Sequence, residues 1–239
     1  MKSQSHIISC LFALVAIAGC ASTEVSNRKI LVDEKIPRPN HIWVYAFAAT
    51  PAEVPADSAL AGQPVEHPTP QTAEQIALGR QVGDLIAAHL VEEIRNMGLP
   101  AERGERASGR TTPQVNDLVL RGYLLSVDEG SATKRVAIGF GSGGSALEVA
   151  AEGLQVTPQG LRKLGSGTLQ SGGGKTPGGA VGVAALIVTG SPVGLIVGGG
   201  VKAYGEYSGS AKIEGRAKDT AKEIADQIRP RFQKQGWIN

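Results

Sequence analysis

The chain has 239 residues, a length that suits one principal domain with its own apolar core. Its 24 lysine and arginine residues nearly balance its 22 aspartate and glutamate residues, which argues against a basic surface for binding nucleic acid. The two cysteines, Cys10 and Cys20, lie within the first twenty residues, so the rest of the chain holds no disulfide and no thiolate metal site. We therefore expect a fold stabilised by packing alone, with no metal and no cofactor.

Residues 1–19 have the features of a secretory signal peptide. Lys2 is followed by an apolar run from Ile7 to Ile17, which is too short to span a bilayer. The sequence Ile17-Ala18-Gly19-Cys20 resembles the lipobox of bacterial lipoproteins. That resemblance implies cleavage before Cys20 and attachment of a diacylglycerol to its sulfur. The alternative is an ordinary signal peptide in which Cys20 has no special role.

The lipobox resemblance also implies a location. Two or three acyl chains, at about 0.8 kcal/mol for each buried methylene group, would hold the protein at a membrane almost permanently. Ala21 and Ser22 follow the cysteine, so the aspartate signal that retains enterobacterial lipoproteins in the inner membrane is missing. We expect an outer-membrane protein, anchored by lipid, whose body faces the periplasm.

The exported part begins with two contrasting segments. Residues 20–40 mix polar residues, charges and prolines without any period, which predicts a lipid-anchored tether. Residues 41–49 are apolar on both alternating faces, which predicts a buried strand near the centre of a sheet.

A long amphipathic helix is predicted next. Residues 50–70 contain five prolines and predict a loop. From Thr72 to Met97, apolar residues recur three and four positions apart, and Gly98 supplies the stop. His89 lies beside the apolar stripe, where we interpret it as a packed or edge histidine because the chain offers few partners for a metal site.

Three more strands and a second helix complete the predicted domain. The strands cover residues 117–127, where Gly122 is expected to permit a bulge, and residues 146–157 and 161–169. The second strand changes phase after Gly153, which predicts a bulge there as well.

The last predicted element is a C-terminal helix. Apolar residues form one stripe from Ala217 to Phe232, and Gly236 closes the helix. The elements together predict an α+β domain, in which two amphipathic helices pack on a small mixed or antiparallel sheet. Residues 41–177 form its first part, and residues 208–239 contribute the C-terminal helix.

An apolar segment with regularly spaced glycines interrupts this domain. Residues 178–207 predict a glycine-zipper helical hairpin, because glycines four apart on a helix let two backbones approach closely. Each arm of about twelve residues is about 18 Å long, too short for the roughly 30 Å hydrocarbon core. The hairpin could dip into a membrane, or the segment could form one interrupted span of roughly twenty-two residues. It could also associate with another copy or pack against its own domain, and the sequence leaves these alternatives open. The residues expected to make membrane or self-contacts are Gly182, Gly190, Gly194 and Gly198.

Two other glycine clusters resemble nucleotide-binding motifs only in part. The segment Gly139–Gly144 matches the dinucleotide fingerprint, but a strand-like pattern follows it and residues 157–168 contain no acid. The segment Gly174-Lys175-Thr176 resembles the end of a phosphate-binding loop, but Leu169 occupies the position of its first glycine. With no other catalytic motif, we expect no catalytic residues and no enzyme activity.

Several of these segments together resemble the bacterial family known as domain of unknown function 4410. The similarity covers most of residues 40–235, and its most specific part is Arg135 followed by the glycine-rich loop. It implies a small envelope protein, often a lipoprotein, with no assigned activity and no defined catalytic residues. The segments that carry it are Asp117-Leu-Val-Leu with Gly122, Asp128-Glu129-Gly130 with Arg135, Ile138 to Ser145, and Gly172-Gly173-Gly174-Lys175 with Pro177.

The sequence favours a non-catalytic outer-membrane lipoprotein with a periplasmic α+β domain. Its role would be structural or accessory to envelope assembly, through contacts with another protein or peptidoglycan, or through self-association as a homo-oligomer. The alternative is a periplasmic module that binds a small ligand under the loop Gly139–Ser145. In that hypothesis the contacting residues are Arg135, Gly139, Gly141 and Gly144.

Overall fold

The structure, a computed structural model, describes residues 24–58, 72–105, 112–128, 146–172 and 209–239. Within these ranges, two helices lie against a six-stranded mixed sheet, which confirms the predicted α+β class. The helices are α1 (Ala73–Asn96) and α2 (Gly209–Gln235), and a short 3-10 turn spans Pro51–Glu53. The strands are β1 (Glu24–Ile30), β2 (Ile42–Tyr45), β3 (Ala101–Gly104), β4 (Leu118–Asp128), β5 (Ala146–Thr157) and β6 (Gly160–Gly172).

The sheet has the order β1-β6-β5-β4-β2-β3. Strand β2 pairs in parallel with both β3 and β4, whereas β4, β5, β6 and β1 pair antiparallel. The apolar segment at 41–49 therefore supplies an internal strand, but the strand covers only Ile42–Tyr45 and lies next to the edge strand β3 rather than at the centre of the sheet. Strand β3 was not predicted, because only Ala101 of its four residues is buried and the others give no alternating apolar pattern.

Strand β1 lies inside the segment predicted to be a tether. It pairs with β6 at the edge of the sheet, where Val25 stands opposite Leu169. The chain after β1 continues along the end of α2, where Gln235 accepts a 2.8 Å hydrogen bond from the backbone N–H of Ile36 and donates one to the carbonyl oxygen of Glu34. Residues 24–36 are thus part of the folded body. Their polar composition hides this because an edge strand leaves many side chains in solvent.

Helix α1 forms where its apolar spacing predicts. Thr72 and Gln75 make a reciprocal capping box at its start, and Gly98 at φ +83° ends it. His89 lies at the edge of the helix, with its Nδ1 3.3 Å from Oε2 of Glu92. The helix approaches the sheet at Gly83, whose carbonyl oxygen accepts a 3.2 Å hydrogen bond from the backbone N–H of Phe47.

The predicted bulges have different outcomes. The β5–β6 register shifts between Gly153 and Leu154, as the phase change predicts, but the extra residue is Leu164 of β6, because β5 keeps a regular register with β4 through these two residues. The bulge expected at Gly122 is wrong, because the irregularity in β4 falls between Leu124 and Ser126. Gly122 serves a packing purpose instead, since a Cβ atom there would lie 2.1 Å from Cε1 of Phe47.

Helix α2 confirms the C-terminal helix that the apolar stripe predicts. It continues through Pro230, and Gly236 at φ +77° follows its last turn, as the sequence predicts. The main core lies between the sheet and both helices, and it includes Ile86 and Leu90 of α1 and Ala221 and Ile224 of α2.

Candidate functional site

All predicted site residues lie outside the described residues. This holds for Cys20, for the proposed contact residues of the hairpin at 178–207, and for the proposed ligand loop with Arg135, Gly139, Gly141 and Gly144. These remain predictions. The structure does, however, describe the residues that flank each of them.

The flanking residues meet at one end of the sheet. The first residue of β1, Glu24, pairs with Gln170 near the end of β6. Ala146, which follows the segment 129–145, pairs with both Asp128 and Gly172. Because neighbouring strands lie about 4.8 Å apart, these four strand ends span about 14 Å across the sheet. We call this end of the sheet, formed by Glu24, Gln170–Gly172, Ala146 and Asp128, the anchor end.

Helix α2 also starts toward the anchor end. Arg28 bonds to Gln227, and further along the chain Ile36 bonds to Gln235, so β1 with its extension and α2 run in the same direction. The first residue of α2, Gly209, therefore lies beyond Glu24 in the direction of the anchor end. The segment 173–208 leaves the sheet after Gly172 and returns to the body at α2, both on the anchor side.

A buried ion-pair network lies on the other face of the sheet, away from α1 and α2. In β4, Leu120, Gly122 and Leu124 face the helices, so the alternating residues Arg121 and Tyr123 face away. Arg121 and Glu152 are direct cross-strand partners, 5% and 4% exposed, with Nη2 and Oε2 3.6 Å apart.

Three further side chains complete this network. The ammonium group of Lys163 lies 2.9 Å from Oε2 of Glu152, and the hydroxyl of Ser58 donates a hydrogen bond to Oε1 of the same carboxylate. Nη1 of Arg121 donates to both carboxylate oxygens of Asp57, at 3.0 and 3.1 Å. Two cations thus meet two carboxylates, so the network is balanced in charge.

The network sets the protonation of its members. Burial opposes the ionisation of Glu152, but the hydrogen bond from Ser58 and the charge of Lys163 outweigh it, so the pKa of Glu152 lies below its ordinary value. Burial raises the pKa of Tyr123, and the negative charge of Glu152 raises it further. At neutral pH the cluster therefore holds an ionised Glu152 beside the neutral phenol of Tyr123.

A cavity of about 370 Å³ lies beside Arg121 and Asp57 on this face. Its remaining wall is mostly apolar, so a polar group that entered it would meet these two side chains. The lining residues are Tyr45, Pro55, Asp57, Pro113, Val119, Arg121, Val156 and Leu161.

Sequence reasoning missed this network. Only part of its signal was available, because Arg121 interrupts the apolar run of β4, whereas Glu152 shares β5 with Glu148 and Gln155. What the sequence could not show was the register that places them opposite each other.

In the described ranges of the chain, no helix combines the length and the apolar character needed to cross a bilayer. The same ranges contain no group of three or more His, Cys, Asp or Glu side chains placed to hold a metal ion.

The family model described as domain of unknown function (DUF4410) matches residues 42–190, well over half of the chain. The chain belongs to this family. The match begins with β2 and extends beyond β6, so β1 and α2 lie outside the part that the DUF4410 model covers. Among curated proteins, no sequence matches the chain.

Two solved structures from Paraburkholderia phytofirmans are similar to the chain. One is a PelC dodecamer, with 10% identity and a TM-score of 0.37 over 86% of this chain and 97% of that one. The other is a variant PelC dodecamer, with 13% identity and a TM-score of 0.36 over 85% of this chain and 98% of that one. At these scores the likeness carries no weight for the assembly or function of the present chain.

Proposed function

We propose that the chain is a non-catalytic outer-membrane lipoprotein, anchored through Cys20, whose α+β domain sits close to the periplasmic surface of the membrane. It acts through contacts with other envelope proteins or with its own copies, in a structural or assembly-accessory role. The residues proposed for membrane or self-contact are Gly182, Gly190, Gly194 and Gly198.

One observation carries the membrane-proximal placement. Only residues 21–23 separate Cys20 from the first residue of β1, so Cys20 lies within about 14 Å of Glu24 even if the chain is fully extended. Glu24 is at the anchor end, where the segments 129–145 and 173–208 also join the sheet. An acyl group on Cys20 would therefore bring both glycine-rich segments to the membrane surface.

The anchor itself is tested by replacing each cysteine in turn. Cys20→Ala should abolish labelling of the protein with radioactive palmitate and release it from the outer-membrane fraction. Cys10→Ala is the matched control, because Cys10 lies in the predicted signal peptide, and it should leave both results unchanged. Labelling that survives Cys20→Ala would overturn the proposal.

The orientation is tested by energy transfer to fluorescent lipid headgroups. Glu214 is an exposed residue near the start of α2, and Gln159 is exposed in the turn after β5, about 36 Å along that strand from the anchor end. A dye on Glu214→Cys should transfer energy to the bilayer surface much more efficiently than a dye on Gln159→Cys. Equal transfer from the two positions would contradict a membrane-proximal anchor end.

The alternative from the sequence, ligand binding under the loop Gly139–Ser145, remains a prediction. A thermal-shift screen with periplasmic metabolites and glycans tests it, with Arg135→Ala as the comparison. Stabilisation that requires Arg135 would favour this alternative.

A further inference from the structure

A second cavity, of about 160 Å³, lies between α2 and the sheet. It exists because small residues on β5 and β6 face the helix, notably Ala151, Gly153 and Gly167. A Cβ atom at Gly167 would meet no atom of the described residues within 4 Å, and one at Gly153 would first meet a methyl group of Leu120 at 3.5 Å. The helix therefore spans a depression in the sheet that no side chain of the described residues fills.

The wall of this cavity is almost entirely hydrocarbon. Close packing is normal inside proteins, and an empty apolar space of this size stays dry and binds small apolar molecules. An engineered cavity of about 150 Å³ holds benzene, so a space of this size accommodates about six carbon atoms. The buried apolar residues that line it include Leu118, Leu154, Leu169, Ile224 and Phe232.

The cavity reaches solvent between β1 and α2. Arg28 and Ile30, both on β1, are the lining residues that are exposed. The guanidinium group of Arg28 bridges this opening, where it donates hydrogen bonds to the carbonyl oxygen of Gln227 at 3.0 Å and to its Oε1 at 3.4 Å. Gln227 is itself held by Glu223, whose Oε1 accepts a 2.9 Å hydrogen bond from Nε2 of Gln227.

The charge of Arg28 sets the chemistry of the opening. Both of its acceptors in the described part of the chain are neutral oxygen atoms. The neighbouring Arg231, by contrast, lies 3.0 Å from a carboxylate oxygen of Asp33. A carboxylate that replaced the side-chain oxygen of Gln227 would give Arg28 a charge-assisted hydrogen bond.

We propose that this cavity binds a short free fatty carboxylate of about six to eight carbons, with its alkyl chain between the sheet and α2 and its carboxylate on Arg28. The cavity size sets the chain length, and the cation at the opening sets the headgroup. This site does not depend on the lipid anchor, since β1, β5, β6 and α2 build it without Cys20.

Octanoate is the probe, and the full chain carrying Cys20→Ala removes any contribution from the protein's own acyl groups. Isothermal titration calorimetry over a series of carboxylates should show affinity rising about fourfold for each added methylene group up to about eight carbons, and then levelling off. Absence of octanoate binding at about 1 mM would overturn the proposal. An affinity that keeps rising up to hexadecanoate would also overturn it, since that result would indicate a site for long acyl chains.

Substitutions inside and outside the cavity test whether octanoate binds there. Gly167→Leu fills the cavity and should weaken octanoate binding about tenfold or more, whereas Gly215→Leu, at an exposed position in α2 away from the cavity, should leave it unchanged. If Gly167→Leu does not fold, Ala151→Val on the adjacent strand fills the same space. Unchanged binding in a folded cavity-filling variant would refute this location.

The headgroup contact is tested separately. Arg28→Gln should weaken octanoate binding about threefold while leaving the binding of 1-octanol unchanged. Equal effects on the acid and the alcohol would refute the role of Arg28.

Discussion

The indole Nε1 of Trp43 donates a 2.9 Å hydrogen bond to Oδ2 of Asp117, and both side chains are buried. The same carboxylate accepts hydrogen bonds from the backbone N–H groups of His41 and Gln114, at 3.1 and 2.8 Å. Asp117 thereby ties the start of β2 to the start of β4, although Trp43 and Asp117 are 74 positions apart in the chain.

Asp117→Ala should destabilise the protein more than Trp43→Phe. The first change leaves one buried and two partly buried donors without their acceptor and should cost about 3 kcal/mol or more, whereas the second removes one donor and should cost about 1–2 kcal/mol. Urea denaturation followed by circular dichroism measures both. If Asp117→Ala cost no more than Trp43→Phe, the carboxylate would not be the shared acceptor that joins the strands.

Gly83 and Gly215 offer a matched pair of glycine-to-alanine changes in helices. A Cβ atom at position 83 would lie 2.2 Å from the carbonyl oxygen of Phe47, so Gly83→Ala should push α1 off the sheet and cost about 3 kcal/mol or more. At Gly215 a Cβ atom would meet no atom of the described residues within 4 Å, so Gly215→Ala should stabilise α2 by up to about 1 kcal/mol. The difference in free energy of unfolding between the two variants checks the contact, and equal effects would contradict it.

Glu152 should make stability depend on acidic pH. Its pKa in the folded state lies below the ordinary value of 4.5, so its ionised form stabilises the fold above that pH, and this contribution is lost as the pH falls through the folded-state pKa. Glu152→Gln should cost about 3 kcal/mol at neutral pH, because it leaves Arg121 and Lys163 without their shared carboxylate. Urea titrations of both proteins from about pH 7 to about pH 3 should show this difference shrinking below about pH 4.5. A difference that stayed constant would mean that Glu152 is not the titrating group.

Gln235 should hold the segment after β1 against the body. Gln235→Ala removes the side-chain bonds to Ile36 and Glu34, so amide hydrogen exchange at residues 31–36 should become faster. Gln233→Ala is the control, because Gln233 is exposed and its Nε2 bonds to the backbone oxygen of Asn239 instead. Unchanged exchange in Gln235→Ala would mean that this segment is held by other contacts.

The sequence predicted the elements whose pattern is strong. Helix α1, helix α2 and strands β2, β4, β5 and β6 each have a clear apolar period or a turn signal, such as Gly98 and Gly236 at positive φ. Strands β1 and β3 were missed because edge strands leave half or more of their side chains in solvent and so have little apolar pattern.

The candidate sites depend on partners that are distant in sequence. Arg121 and Glu152 become neighbours only through the β4–β5 register. Arg28 is held at the opening of the cavity only by its contact with Gln227, which is 199 positions away. Local periodicity contains no information about such pairings. The cavity under α2 was unpredictable for the same reason, since glycines such as Gly167 create it only where a helix crosses them.

Mass spectrometry of the amino-terminal peptide of the mature protein is the sharpest test of lipid anchoring through Cys20. We expect this peptide to begin at Cys20 and to carry a diacylglycerol thioether on the sulfur, with a further acyl chain on the new amine where the host attaches one. A peptide that begins elsewhere, or that begins at Cys20 with a free thiol, would contradict it.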